Sequence, residues 1–115
     1  MIRKKDEMKT EVRENMRGGP GKIAIRHMFD KEEIRARTRL CSILTLPPGA
    51  GIGLHRHDAE DELFVINRGT GMISDGREQT RVSEGDAVLT GGGESHALLN
   101  DGDGPLEITA VIMLH

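Results

Sequence analysis

Apolar and polar residues alternate along most of the chain after residue 38, in short runs that end at glycine or proline. The clearest runs are residues 39–46, 62–66 and 106–114. A period of two is typical of strands that bury one face. Asp75-Gly76 lies between two further runs and favours a tight hairpin, because both residue types tolerate positive φ. The pattern predicts an all-β sandwich or barrel.

The first 21 residues give two interpretations. Met8, Val12 and Met16 recur every four residues, which suits one weak helical stripe. Residues 9–13 would serve equally as a polar edge strand. A glycine- and proline-rich turn at residues 18–21 ends either structure. We predict an N-terminal arm over residues 1–21, pairing with a partner subunit, and a β-barrel domain over residues 22–115.

Between the arm and the regular runs, two local signals stand out. Ile23 and Ile25 alternate with smaller or polar neighbours and predict a short strand. Asp30 followed by Glu33 resembles a helix capping box, in which two side chains satisfy the first free backbone amides. These residues predict one short helical turn near residues 31–36, and we expect at most one such turn in the chain.

Composition narrows the classes of function. The chain has no tryptophan or tyrosine and only two phenylalanines, so base-stacking nucleic-acid platforms are disfavoured. Residues 1–39 hold 12 of the 16 basic residues but only 7 of the 19 acidic ones, and we expect this basic arm to dock on an acidic body or partner subunit. No apolar run reaches the ~18 residues of a membrane span, and no secretory signal is evident. The lone Cys41 favours a cytoplasmic location.

The histidines carry the candidate chemistry. In His55-Arg56-His57 the two imidazoles are two residues apart, so on an extended strand both face the same side. Glu62 opens the next strand, and His96 begins a later one. Three imidazoles and one carboxylate together would make a mixed nitrogen and oxygen site for a divalent transition metal.

Glycines surround these four residues at regular distances. The first group has Gly49, His55, His57, Glu62 and Gly69, and the second has Gly85, Gly91-Gly92-Gly93, His96 and Asn100. This arrangement resembles the two-part signature of the cupin superfamily over residues 38–114, and it marks the chain as similar to a small single-domain cupin. The second part departs once, because Gly91 stands where the family usually has proline.

The resemblance implies a small six- to eight-stranded β-barrel or double-stranded jelly roll. It also implies that His55, His57, Glu62 and His96 bind one divalent metal near the barrel centre. Manganese, iron, nickel, cobalt and zinc all accept imidazole with carboxylate, so the identity of the metal stays open. Alternation from the ligands places Phe64, Ile66 and Leu98 inside and predicts an apolar pocket around the metal.

Other candidate residues receive structural interpretations. We expect Asp58, Glu60 and Asp61 to be solvated loop charges, His27 and His115 to be surface residues, and Cys41 to be a small buried apolar residue. Glu94 could reach the mouth of the pocket as an acid or base, although loop solvation is favoured. The methionines are assigned to packing.

The predicted function is that of a metal-binding cupin acting on a small oxygen-rich anion, by decarboxylation, dioxygenation or isomerisation. The alternative is a non-catalytic binding or sensing module that uses the same metal site. Two-domain oxalate decarboxylases of the family carry an arginine three residues before the first motif histidine, where this chain has Ile52. The sequence favours a metal-dependent enzyme, but Ile52 disfavours oxalate decarboxylation. An oxalate role would need another cation, such as Arg39, Arg37 or one from a neighbouring subunit.

We also predict a homodimer. In the last run Ile108, Ala110 and Ile112 share one face, while Val111 and Met113 lie on the other. A barrel interior uses only one face, so the second apolar face needs a cover. The expected partners are thus a second copy and a small anion, with neither nucleic acid nor membrane.

Overall fold

The computed structural model describes all 115 residues, and it contains ten strands and two short 3-10 helices. The 3-10 helices are Lys5–Glu7 and Met16–Gly18. The strands are β1 (Lys9–Glu14), β2 (Lys22–His27), β3 (Thr38–Leu46), β4 (Gly51–Arg56), β5 (Glu60–Arg68), β6 (Thr70–Ser74), β7 (Gln79–Ser83), β8 (Ala87–Gly91), β9 (Ser95–Leu99) and β10 (Leu106–Leu114).

The strands form two antiparallel sheets that face each other. One sheet has six strands in the order β1-β2-β3-β10-β5-β8, and the other has four in the order β4-β9-β6-β7. The all-β jelly-roll prediction is confirmed. Ten strands form instead of six to eight, since residues 9–14 and 51–56 also pair into the sheets.

The N-terminal arm forms an edge strand, the second of the two structures that its sequence predicted. Strand β1 pairs with β2 of its own chain, from Lys9 opposite His27 to Glu14 opposite Lys22. Every residue of β1 is exposed, and Val12 keeps 65% of its surface accessible. Pairing of this arm with a partner subunit stays a prediction.

The helical turn expected near residues 31–36 does not form a helix. The backbone N–H of Glu33 donates to the carbonyl of Asp30 at 2.9 Å, which closes a simple turn. Glu33 does not complete a capping box because its carboxylate accepts from Arg3 at 2.7 Å. A contact distant in the sequence therefore replaces the local one.

The core lies between the sheets and follows the predicted alternation. Phe64, Ile66 and Leu98 are each only 1% exposed, which confirms that they face inward. Strand β10 buries Leu106, Ile108, Ala110 and Ile112 and leaves Met113 exposed on the other face. No helix in the structure is long and apolar enough to cross a bilayer.

Candidate metal centre

The four predicted ligands come together between the sheets at one end of the fold. His55 in β4 lies directly opposite His96 in β9, so the four-stranded sheet supplies both. His57 follows one residue after the end of β4. Glu62 in β5 belongs to the six-stranded sheet. The cluster thus joins the two sheets, and only the packing of one sheet on the other can assemble it.

The ligand atoms converge closely. The Nε2 atom of His57 lies 3.0 Å from that of His55 and 3.0 Å from that of His96, and the His55–His96 distance is 3.1 Å. One carboxylate oxygen of Glu62 lies 3.0 Å from Nε2 of His57 and of His96. All four ligand atoms fall within 4.8 Å of one another, so the cluster could hold a metal ion.

Each imidazole is oriented through its other nitrogen. Nδ1 of His55 donates to the carbonyl of Gly53 at 2.7 Å, and Nδ1 of His96 lies 2.9 Å from the hydroxyl of Thr90. Nδ1 of His57 donates to the carboxylate of Glu60 at 2.5 Å. Carbonyl and carboxylate oxygens only accept, so either ring in its metal-binding form carries its proton on Nδ1 and presents a lone pair from Nε2. Converging lone pairs beside a carboxylate fit a cation.

Glu60 is the residue that sequence reasoning missed. The prediction that it is a solvated loop charge is wrong: it lies in β5 with its side chain only 14% exposed. Besides His57, its carboxylate accepts two hydrogen bonds from Arg39, at 3.2 and 2.9 Å. The Arg39 hydrogen bond is the main reason that the pKa of Glu60 is lowered, with His57 adding to it. A carboxylate held this way fixes the ring orientation and raises the basicity of a ligand histidine.

Burial favours the neutral form of His55. It lowers the pKa of this residue because the charged imidazolium loses solvation, although the hydrogen bond to Gly53 opposes the shift. The positive charge of Arg17 contributes a smaller lowering. A neutral imidazole is the form that binds metal.

The environment of the cluster is apolar on one side and charged on the other. The ring of Phe64 stacks on that of His96 at 4.8 Å between centroids. On the open side, a cavity of about 320 Å³ reaches Glu62. Apolar side chains of Ile25, Leu40 and Ile112 line part of it. Its other walls carry residues of both charges: Arg13, Arg17, Lys31, Arg39, Asp30 and Glu32. The predicted apolar pocket is therefore apolar behind the ligands and mixed in charge toward solvent.

The remaining histidines lie outside the cluster. His27 is less exposed than predicted: its Nδ1 lies 2.7 Å from the hydroxyl of buried Ser42, and its Nε2 lies 3.1 Å from the carboxylate of Glu11. His115 is at the surface beside Asp61, as predicted.

Cys41 and Glu94 take no part in the cluster. Cys41 is half-buried, and desolvation raises the pKa of its thiol. Glu94 is exposed, and its carboxylate accepts from the backbone of Gly91 at 3.4 Å. This contact fits the loop role that the sequence favoured for Glu94.

Comparison with known proteins agrees with the fold. A family model described as a cupin domain matches residues 42–112, and the chain belongs to the cupin family. It is 38% identical over 114 residues to an oxalate-binding protein of Thermotoga maritima, covering 99% of this chain and 94% of that protein.

Two solved structures illustrate the range of the likeness. A crystal structure from Thermotoga maritima, described as a predicted oxalate decarboxylase, superposes with a TM-score of 0.95 at 37% identity, over the full length of both chains. A Thermus thermophilus protein superposes with a TM-score of 0.69 at 21% identity, over 80% of this chain and 83% of its own, and shows the fold alone.

Proposed function

We propose that this cupin binds one divalent transition metal through His55, His57, Glu62 and His96 and takes a small oxygen-rich anion at the open coordination positions. The observation that carries the proposal is the convergence of three Nε2 atoms and one carboxylate oxygen, with Nδ1 of each ring engaged elsewhere. Imidazole and carboxylate ligands suit manganese, iron, cobalt, nickel or zinc.

The charge balance favours an anion as the second ligand. One carboxylate offsets one of the two metal charges, and the cavity beside Glu62 offers Arg17 as an unpaired cation. The Thermotoga maritima relative named as an oxalate-binding protein supports a small carboxylate. A bound divalent metal would act as a Lewis acid toward such a ligand.

The chain's own residues prepare the site for that chemistry. Glu60 holds the ring of His57 and Thr90 that of His96, while Phe64 and Ile66 keep water from the side behind the cluster. Decarboxylation, dioxygenation and isomerisation of a small carboxylate are all compatible with this arrangement. A non-catalytic binding module would use the same contacts, and turnover of the bound acid separates the two functions.

Substitution His57→Ala tests the metal site. We expect at least about tenfold weaker metal binding, because a ligand that touches the metal contributes no less than a residue that orients it. Metal analysis of the purified variant beside the wild-type chain measures the loss. Full metal content in the variant would show that these four residues are not the ligands.

Thermal melts with dicarboxylates test the anion. A dicarboxylate or α-keto acid should stabilise the metal-loaded chain by about 2.7 kcal/mol at a hundred times its dissociation constant. The metal-free chain should not respond. Equal stabilisation of both forms would place the anion away from the metal and contradict the proposal.

We further propose a homodimer formed through the outer face of the six-stranded sheet. Val111, Leu63 and Leu89 lie side by side across β10, β5 and β8, and Leu89 is 64% exposed. Apolar side chains in contact across three strands favour a cover by a second copy. Light scattering should return twice the 12.6 kDa of one chain, and Leu89→Glu should shift the mass toward the monomer. A wild-type monomer at micromolar concentration would contradict this.

A further inference from the structure

The turn that follows β1 holds an unusual backbone conformation beside the candidate metal centre. Asn15 has φ 51° and Arg17 has φ 54°, both in the left-handed region that residues with a Cβ rarely adopt. Such strain persists only where the surrounding structure imposes it, and it is concentrated at functional sites. The conformation of this turn therefore needs an explanation.

Close backbone packing on β4 imposes the conformation. A Cβ at Gly53 would lie 1.9 Å from the carbonyl oxygen of Arg17, so only glycine lets Arg17 approach this strand. The backbone of Gly51 donates to the carbonyl of Pro20 at 2.8 Å, and the side chain of Asn15 donates to the carbonyl of Gly19 at 3.2 Å. The turn is thus fastened to β4 two residues before His55.

Arg17 lines the same cavity as Glu62, together with Asp30, Lys31 and Glu32. Two other arginines of this cavity are already paired, Arg13 with Glu11 at 2.9 Å and Arg39 with Glu60 at 2.9 Å. Arg17 makes no side-chain hydrogen bond or ion pair in the structure. It is the arginine of the cavity whose guanidinium keeps its full set of donors for a ligand.

We propose that Arg17 binds the carboxylate oxygens of the small anion that the metal centre receives, and so selects acids with a second carboxylate. This inference rests on the proposed function, since it needs an anion at the metal. A planar guanidinium donates two parallel hydrogen bonds to a carboxylate, which a lysine cannot reproduce. The strained turn is the device that places this group over the cavity.

Oxalate binding to the manganese-loaded chain tests the proposal by titration calorimetry. We expect Arg17→Gln and Arg17→Gly to weaken oxalate binding by about tenfold or more, because each removes charge-assisted hydrogen bonds. Arg68→Gln is the matched control, since it removes one exposed positive charge that lies outside the cavity. Metal content should stay equal in all four proteins.

The glycine variant separates binding from folding. Glycine adopts the φ of 54° without strain, so the melting temperature of metal-free Arg17→Gly should equal or exceed that of the wild-type chain while its oxalate binding falls. Wild-type-like binding by both Arg17 variants would overturn this proposal alone. Equal weakening in Arg68→Gln would show a general charge effect and also overturn it. Failure of the wild-type chain to bind oxalate would overturn the proposed anion and this inference together.

Discussion

The space between the two sheets has an apolar end and a polar end. At one end, Leu46 lies beside Leu106 and Ile66 beside Ile108, all buried and apolar. Its buried polar side chain, Asn100, is fully satisfied, donating to the carbonyls of Leu46 and Gly104 and accepting from Gly102. This end contributes stability and contains no group that needs a ligand.

At the other end the inward positions of β5 and β9 become polar. Along β5 the inward series runs Ile66, Phe64, Glu62, and along β9 it runs Leu98, His96. There the Nε2 atoms of the imidazoles and a carboxylate oxygen lie about 3 Å apart, a set of donor atoms that suits a divalent cation. The difference shows that β5 and β9 each contribute apolar side chains to the core at one end and candidate ligands at the other.

The largest expected effect is a loss of stability caused by a substitution in the apolar end. Ile66→Ala should lower the free energy of unfolding by about 2–5 kcal/mol, since it removes a fully buried side chain and leaves a cavity. Denaturant unfolding of the metal-free protein measures the change, and Leu54→Ala, whose parent side chain is 54% exposed, serves as the control. If the control loses as much stability as Ile66→Ala, the apolar end is not the stabilising half.

An intermediate effect is expected from a substitution at the polar end that leaves the four candidate ligands unchanged. Glu60→Gln keeps an acceptor for His57 but removes the charge, so metal affinity should fall about tenfold. The metal-free chain should lose only a small part of its stability, since the variant also gives up the ion pair with Arg39. Metal titration of this variant beside Asp58→Asn, which changes an exposed carboxylate paired with Arg56, measures the effect. Unchanged affinity in Glu60→Gln would mean that Glu60 does not tune the centre.

The smallest expected effect concerns an exposed ion pair at the rim of the apolar end. Arg81 donates two hydrogen bonds to Asp101, at 3.0 and 2.8 Å, and hydrogen bonding to Arg81 is the main cause that lowers the pKa of Asp101. A lowered pKa adds stability above the ordinary carboxyl pKa of about 4, and this stability is lost as pH falls through the folded value.

Paired melts of the wild-type chain and Asp101→Asn across this range test the ion pair. The small stability difference between them should be constant near neutral pH and should shrink below pH of about 4. A difference that grows on acidification would have the wrong sign. The exposed Arg81–Asp101 pair should affect stability alone. The Arg39–Glu60 pair differs, because its carboxylate also holds the ring of His57, a candidate ligand.

The alternation of residues predicted most of the strands, and the spacing of histidine, glutamate and glycine named the four candidate ligands. Alternation placed Phe64, Ile66 and Leu98 inside, and the structure confirms each. It was insufficient at residues 31–36, where Arg3 takes the carboxylate of Glu33 from a position 30 residues away. Local signals lose to such contacts because a charged hydrogen bond is stronger than the capping interaction it replaces.

The sequence by itself determined the strands and the inward face of each, because these depend on a period of two. It also named the four candidate ligands, through a spacing of histidine, glutamate and glycine that resembles the cupin signature. Only the tertiary structure decided that Glu60 orients His57 and that Arg17 borders the cavity of Glu62. Those relations depend on how one sheet packs on the other and on how the turn after β1 rests on Gly53. No spacing within the chain encodes a distance between two sheets.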